Sequence, residues 1–203
     1  MNNNTEIDIL EAARRLFLKK GFKETTVREI VKEANTSKAM LNYYYRSKEK
    51  LFFIVFDEAF HKVYSRIRTS FLRDDIDFAK KLELAVSDCT CFFNETPQLP
   101  IFIAGEVARN PNKIGKRISE LIENDFIDIF NKQFEGNFGN NANSETYSSF
   151  LIIAILSLCV FPIIAKPVLK FSIGFEENKF EEIFNAHQSL ISPFVLAAIH
   201  SKI

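Results

Sequence analysis

The stretch TVREIVKEANTSKAMLNYYYRSK, Thr26 to Lys48, decides the fold. Thr26 with Glu29 three residues on is a capping box, in which each residue's side chain satisfies a free backbone N–H of the other at the start of a helix. Val27, Ile30, Val31 and Ala34 follow at i, i+3, i+4 and i+7, a single apolar stripe. Asn35 reads as a left-handed stop, because Asn tolerates positive φ better than most residues that carry a side chain. Ser37 then caps a second helix bearing Lys38, Ala39, Met40, Leu41, Asn42, Tyr43 and Tyr44. Two short helices, a tight turn and a polar–aromatic second helix make a helix-turn-helix.

The flanks extend the pattern. Upstream, ILEAARRLFLKKGF (Ile9 to Phe22) sets Ile9, Ala12 or Ala13, Leu16 and Phe17 on one face, with Gly21 closing the helix and Phe22 folding back. Downstream, Ser47 opens a long helix with Lys48 in its first turn. Together, ILEAARRLF, GF, TTVREIVKEA and TSKAMLNYYYRSKEKLF resemble the N-terminal domain of the tetracycline-repressor (TetR) family, over residues 7–52 without a gap. Two positions depart from that pattern: Asn35 stands where the family usually has a turn glycine, and Asn42 where it usually has an aromatic residue.

The resemblance implies an all-α chain. A three-helix helix-turn-helix DNA-binding domain, residues 1–50, would be joined by the long helix to a helical ligand-binding and dimerisation domain, residues 51–203. It implies a ligand-responsive, sequence-specific transcriptional regulator, usually a repressor, in which a homodimer is released from a pseudo-palindromic operator on double-stranded DNA by a small-molecule inducer. Position by position, Thr26, Lys38, Ala39, Tyr44 and Lys48 match the family's usual contact sites, Ala39 standing where the family often keeps glycine.

The chemistry of these residues suits the same partner. Lys48 and the backbone amides near Thr26 fit phosphates, since a helix N-terminus carries partial positive charge. Arg28 and Lys38 can donate to guanine O6 and N7, and Asn42 can pair with adenine N6 and N7. Tyr43 and Tyr44 offer hydroxyls to phosphate and ring faces to thymine methyls, and Ser37, at the start of the reading helix, is counted with them. Leu41 and Tyr45 face the core.

Charge is distributed to match. Lys+Arg and Asp+Glu number 26 each over the chain, yet residues 1–50 hold 11 Lys/Arg against 7 Asp/Glu, net +4, and the remainder is net −4. A basic end on an otherwise acidic protein fits a polyanion bound at one end only. The polar start MNNNTEIDILEAARR has no apolar signal-peptide core, and three cysteines without framework spacing (Cys89, Cys91, Cys159) fit a reducing cytoplasm. Cys89 and Cys91 point to different sides of a helix, so packing rather than metal binding is expected of them, and no cofactor is expected.

Beyond residue 50 the periodicity is helical throughout, with neither an internal repeat nor a hairpin signal. The connector runs from Ser47 to Phe71 through Phe52, Phe56, Phe60, Val63 and Ile67. Further helices are expected up to Glu95, over Ile101–Arg109, over 112–134 and from Asn178 to His200, the last restarting or kinking at Ser192-Pro193. MNNN reads as a frayed arm, and EGNFGNNANS (135–144) as a flexible loop. Phe150 to Ala165 is apolar but for Ser157 and Pro162; 16 residues fall short of the about 20 a membrane span needs. A helix apolar all round is buried all round, so a dimer interface is expected rather than a membrane.

With 22 phenylalanines, mostly past residue 50, an aromatic-lined inducer pocket can be built, although aromatic stripes at helical spacing are more often plain core. Phe60, Asp88, Phe92, Phe102, Glu106 and Phe126 are the candidate ligand contacts, with Asp88 and Glu106 either as orienting carboxylates or, more often for such residues, as surface or capped ones. An enzyme lacks its parts: there is no Gly-rich phosphate loop, no nucleophile signature, no metal spacing, and His61, His187 and His200 are scattered. The remaining alternatives are a helical dimer with an inactive DNA-binding domain and a membrane-associated helical protein.

Overall fold

The computed structural model of the chain describes residues 3–139, 143–174 and 176–201. Among them are ten helices and no strand: α1 Asn3–Glu24, α2 Val27–Glu33, α3 Lys38–Tyr45, α4 Lys48–Phe71, α5 Phe78–Glu95, α6 Gln98–Arg109, α7 Pro111–Leu121, α8 Asn124–Phe138, α9 Ser144–Ile173 and α10 Glu177–His200. They fall into two compact units, residues 1–62 with 98–121 and residues 63–97 with 122–203. The unit that carries the helix-turn-helix therefore reaches past residue 50 and takes in α6 and α7.

The first unit is built on aromatic packing. Phe17 meets Phe52 edge-on at 5.4 Å, Phe22 lies 4.9 Å from Phe52, and Phe102 of α6 sits 6.0 Å from both Phe52 and Phe56. Ile9, Ala12, Ala13, Phe17, Ile30, Leu41, Leu51 and Phe56 are wholly buried around them. Each fully buried side chain of Leu or Phe size contributes about 1.5–3 kcal/mol. α7 is held to α4 by ion pairs, Arg117 with Asp57 and Lys113 with Glu49.

Gly21 breaks α1 from within, at φ 78 and ψ 179. Only glycine is at ease there. The chain turns, Phe22 folds back over Phe17 as expected, and Thr25 Oγ1 donates to the Gly21 carbonyl at 2.8 Å.

In the second unit, Val86, Cys89, Phe93, Cys159, Ile163, Phe184 and Ile191 form a core shared by α5, α9 and α10. Burial pushes the thiols of Cys89 and Cys159 up to about 12, so both are apolar filling at neutral pH. A second seam runs through Phe71, Phe78, Phe126, Phe130 and Phe134. At the end of α4 the Phe71 carbonyl accepts from Gln133 Nε2 at 2.9 Å and from buried Lys81 Nζ at 3.4 Å.

Several expected boundaries move. The helix over 112–134 is two helices, because Glu123 turns extended (φ −66, ψ 128), gives its N–H to the Tyr64 hydroxyl and pairs its carboxylate with Arg68. α6 begins at Gln98, with Pro100 in its first turn, where a helix needs no N–H. α8 runs on to Phe138 before Gly139 ends it; of the expected loop, residues 140–142 lie outside the described residues, as do 1 and 2 of the expected arm. α10 passes through Pro193 without restarting.

The apolar helix is the largest revision. It extends from Ser144 to Ile173 through Pro162 and Pro167 and is not buried all round. Leu151, Cys159, Ile163 and Ala165 are buried, but Phe150, Ile153, Leu156, Phe161, Ile164, Val168 and Phe171 are exposed, Ile153 at 63% and Phe171 at 92%. Pro162 has no N–H for the Leu158 carbonyl four residues back. His187 Nε2 of α10 donates to that carbonyl at 2.9 Å, which fixes its tautomer and ties the two helices.

Gly21→Ala should lower stability by about 1–3 kcal/mol, the range for a side chain forced into a glycine-only conformation. Urea unfolding checks it: the midpoint drops with an unchanged slope. A wild-type midpoint would mean the turn at residue 21 is relaxed.

Candidate nucleic-acid interface

Local sequence sets the geometry of the α2–α3 pair. Thr26 sits extended (φ −105, ψ 152) and its Oγ1 accepts from Glu29 N at 3.2 Å, while Glu29 Oε2 accepts from Thr26 N at 2.8 Å. Lys20 Nζ donates to Glu29 Oε1 at 2.5 Å. That bond first, and those from Thr26 next, hold the Glu29 carboxyl down at about 2. Asn35 adopts φ 47, and Thr36 N closes the turn onto the Val31 carbonyl at 2.9 Å. Ser37 Oγ accepts from Met40 N at 3.3 Å and starts α3.

α3 is fastened on one side only. Leu41 and Tyr45, one turn apart, are buried. The Tyr45 hydroxyl donates to the Glu6 carbonyl of α1 at 2.9 Å, and burial raises its pKa to about 12. On the other side Ser37, Lys38, Ala39, Asn42 and Tyr43 are exposed, Tyr43 at 65%. Tyr44 is half-buried, with its ring edge-on to Tyr43 at 5.0 Å. Thr26 and Arg28, at the start of α2, are also exposed.

Lys48 stands apart from this exposed set. Its Nζ donates to the carbonyls of Phe22 at 2.9 Å and Thr25 at 2.8 Å, and lies 4.1 Å from the centre of the Phe22 ring. Burial lowers its pKa, and the charge of Glu106 opposes that shift. Two of its three N–H groups serve the α1–α2 joint, leaving one for any phosphate.

The six candidate ligand contacts divide between the two units. Phe60, Phe102 and Glu106 belong to the first unit and Asp88, Phe92 and Phe126 to the second. Phe60 stacks on Phe56, and Phe102 fills the core beside it. Glu106 is buried and accepts the Phe22 N–H. Asp88 is exposed, Phe92 carries the Arg66 guanidinium on its face, and Phe126 packs on Tyr64 and Phe71. A surface hollow of about 780 Å³ between α5 and α10, lined by Asp77, Glu83, Ser87, Gln188 and Leu196 among others, includes none of the six.

The sequence reading passed over two features here. Arg46, exposed and at φ 66, places a cation directly after α3. The contact of Glu106 with Phe22 spans 84 positions, and its one local sign is Gly21.

A capped two-helix pair presenting Lys, Asn and Tyr from one face of its second helix, on an all-helical chain, makes a helix-turn-helix. Residues 9–55 match the family described as bacterial regulatory proteins, tetR family. Its regulators bind DNA and dimerise, and some bind small molecules. The chain is 45% identical over 49 residues to the HTH-type transcriptional regulator QacR of Staphylococcus aureus, a match covering 24% of this chain and 26% of QacR. It spans about a quarter or less of the length of the curated relatives it matches. The whole fold is shared with a TetR-like transcriptional regulator from Rhodococcus sp. RHA1, with a TM-score of 0.69, 18% identity and coverage of 98% of this chain and 97% of that one. It is shared also with the transcriptional regulator FadR of Bacillus subtilis in complex with stearoyl-CoA, with a TM-score of 0.66, 14% identity and coverage of 92% and 97%.

The Glu29 carboxyl gives this site an acid dependence. Its folded pKa of about 2 lies below the ordinary 4.5. The stabilisation is therefore complete above 4.5 and is lost as pH falls toward 2. Glu29→Gln should unfold at lower urea than wild type at pH 7, with the gap closing between pH 4.5 and pH 2. A gap of constant size over that range would show that the carboxylate charge contributes nothing.

Proposed function

We propose that the chain is a one-component transcriptional regulator, a repressor that binds a pseudo-palindromic duplex as a homodimer and leaves it when a small molecule binds. The observation that carries this is the exposed face of α3, where Lys38, Ala39, Asn42 and Tyr43 stand clear of the core while Leu41 and Tyr45 fix the helix behind them. Lys38 and Arg28 suit guanine, and Asn42 suits adenine. Thr26, Ser37 and the amides at the two helix starts suit phosphate, with Tyr43, Tyr44 and the remaining N–H of Lys48 beside them. Ala39 has no side chain beyond Cβ, so backbone and DNA can approach closely. A DNA partner implies a cytoplasmic location.

The dimer reading rests on α9 and α10. α9 buries one face and exposes a row of large apolar side chains on the other, and α10 adds exposed Leu190 and Phe194. A patch of that kind marks an interface. By length and composition α9 could also cross a membrane. Its buried face, pinned to α10 through His187, favours a second copy of this chain instead. Inducer binding is carried by the likeness in fold to FadR, whose structure holds stearoyl-CoA. The inducer of this chain would bind in the second unit, with Asp88, Phe92 and Phe126 as candidate contacts.

Selection of random duplexes on the purified protein tests DNA reading directly. An enriched inverted repeat is expected. If the dimer neutralises about 8 phosphates, log K falls against log salt with a slope near −7. Repeating the selection with Asn42→Ala should relax one position per half-site and weaken the best site by about 1–3 kcal/mol. No enrichment, with no salt-dependent binding, would leave a helical dimer with an inactive DNA-binding domain.

Sedimentation at micromolar concentration should give a dimer of the 23.4 kDa chain, and Ile153→Glu with Leu156→Glu should yield monomer. A monomeric wild type would remove the dimer reading, and recovery only in detergent would favour the membrane one.

A further inference from the structure

The backbone of Phe22 is gripped from two sides. Its N–H donates to Glu106 Oε1 of α6 at 2.9 Å, and its carbonyl accepts from Lys48 Nζ of α4 at 2.9 Å. The carboxylate and the ammonium thus face each other across one residue. Glu106 is 1% exposed, and Arg109 Nη1 lies 3.4 Å from the same oxygen. The approach is close: a Cβ on Gly21 would stand 2.5 Å from Glu106 Oε1. A buried carboxylate is an expensive way to fill space, and an apolar side chain of equal volume would pack with less penalty. What it does here is accept the Phe22 N–H, directly after the kink at Gly21.

We propose that Glu106 is a positioning residue for DNA binding. Together with Lys48 it fixes the Phe22 peptide, and with it the joint from which α2 and α3 extend. This rests on the DNA-binding reading given above. Phe22 precedes the α2 N-cap by four residues; Lys48 also bonds the Thr25 carbonyl within that interval, and Thr25 bonds back to the Gly21 carbonyl just before it. Once the Phe22 N–H is released, α1 and α2 keep their own helical bonds but lose the contact that sets the angle between them. The exposed face of α3 then samples orientations that do not match a groove, and affinity falls although no group touching DNA has changed.

The test compares three variants with wild type on the duplex obtained by selection. Glu106→Met keeps the volume and removes the acceptor, Glu106→Gln keeps an acceptor oxygen without the charge, and Glu106→Asp keeps the charge but falls one methylene short. Met and Asp are expected to bind about tenfold or more weakly, the factor that follows from leaving one buried N–H unpaired. Gln should stay within about threefold of wild type. Amide hydrogen exchange at Phe22 should quicken by about tenfold or more in Met and Asp, with exchange at Val86 and Phe93 unchanged. Wild-type affinity in Met overturns the proposal, as does equal weakness in Met and Gln, or a wild-type Phe22 amide that exchanges as fast as exposed ones. Should Met not fold, Asp decides in the same way. Failure of wild type to bind any duplex would instead sink the DNA-binding reading, and this proposal with it.

Discussion

The chain must leave α1 through a conformation that only glycine tolerates, and the first unit is arranged around that turn. At φ 78 and ψ 179, Gly21 kinks α1 from within and leaves the peptide groups around it open to side-chain partners. Three side chains answer them. Thr25 bonds back to the Gly21 carbonyl, Lys48 takes the carbonyls of Phe22 and Thr25, and Glu106 takes the Phe22 N–H. Those side chains come from the α1–α2 link, from α4 and from α6. A local backbone break is thereby converted into a three-way junction, and Phe22, folded onto Phe17 and Phe52, closes it on the apolar side.

The second unit meets an opposite problem. α9 has more apolar surface than its own unit covers, and its two prolines each free a carbonyl four residues back. His187 answers the carbonyl of Leu158, so the same contact repairs the helix and sets α10 against it. The buried row through Leu151, Cys159 and Ile163 fixes which way the rest of the helix points. Phe150, Ile153, Leu156 and Phe161 are left outside because the inner row has chosen the inner face. Large apolar side chains set outward along one helix mark a surface for something to lie against.

Much of the fold could be read along the chain because its signals are local. The capping box at Thr26, the left-handed Asn35, the Ser37 cap and the Gly21 stop each act within four residues and stand in the structure as read. The apolar spacing of α5, with Leu82, Val86, Cys89 and Phe93 all buried, is equally local. What was missed needs a partner from far along the chain. The break at Glu123 carries no Gly or Pro, and four-residue spacing runs through it from Ile118 to Phe130; Tyr64 and Arg68 make it possible. Glu106 looked like a ligand carboxylate because a lone acid among apolar residues has two physical explanations, a bound molecule or a buried backbone donor. Sequence carries the first sign of either and cannot carry Phe22. The apolar run of α9 read as buried on every side for a similar reason: composition gives the hydrophobicity of a helix and not which of its faces finds a neighbour.

α3 shows how the legible and illegible parts meet in one element. A helix of eight residues does not hold in water by itself. It stands because Ser37 caps it, Leu41 reaches the core and the Tyr45 hydroxyl reaches the Glu6 carbonyl. All three supports lie at its start or on its inner face. None involves Lys38, Ala39, Asn42 or Tyr43, which stand exposed, Tyr43 touching only the neighbouring Tyr44 ring among the described aromatic contacts. Asn42 illustrates the point, since asparagine is a weak helix former and packs against nothing on the exposed side. The helix is therefore legible from its cap and its inner residues alone.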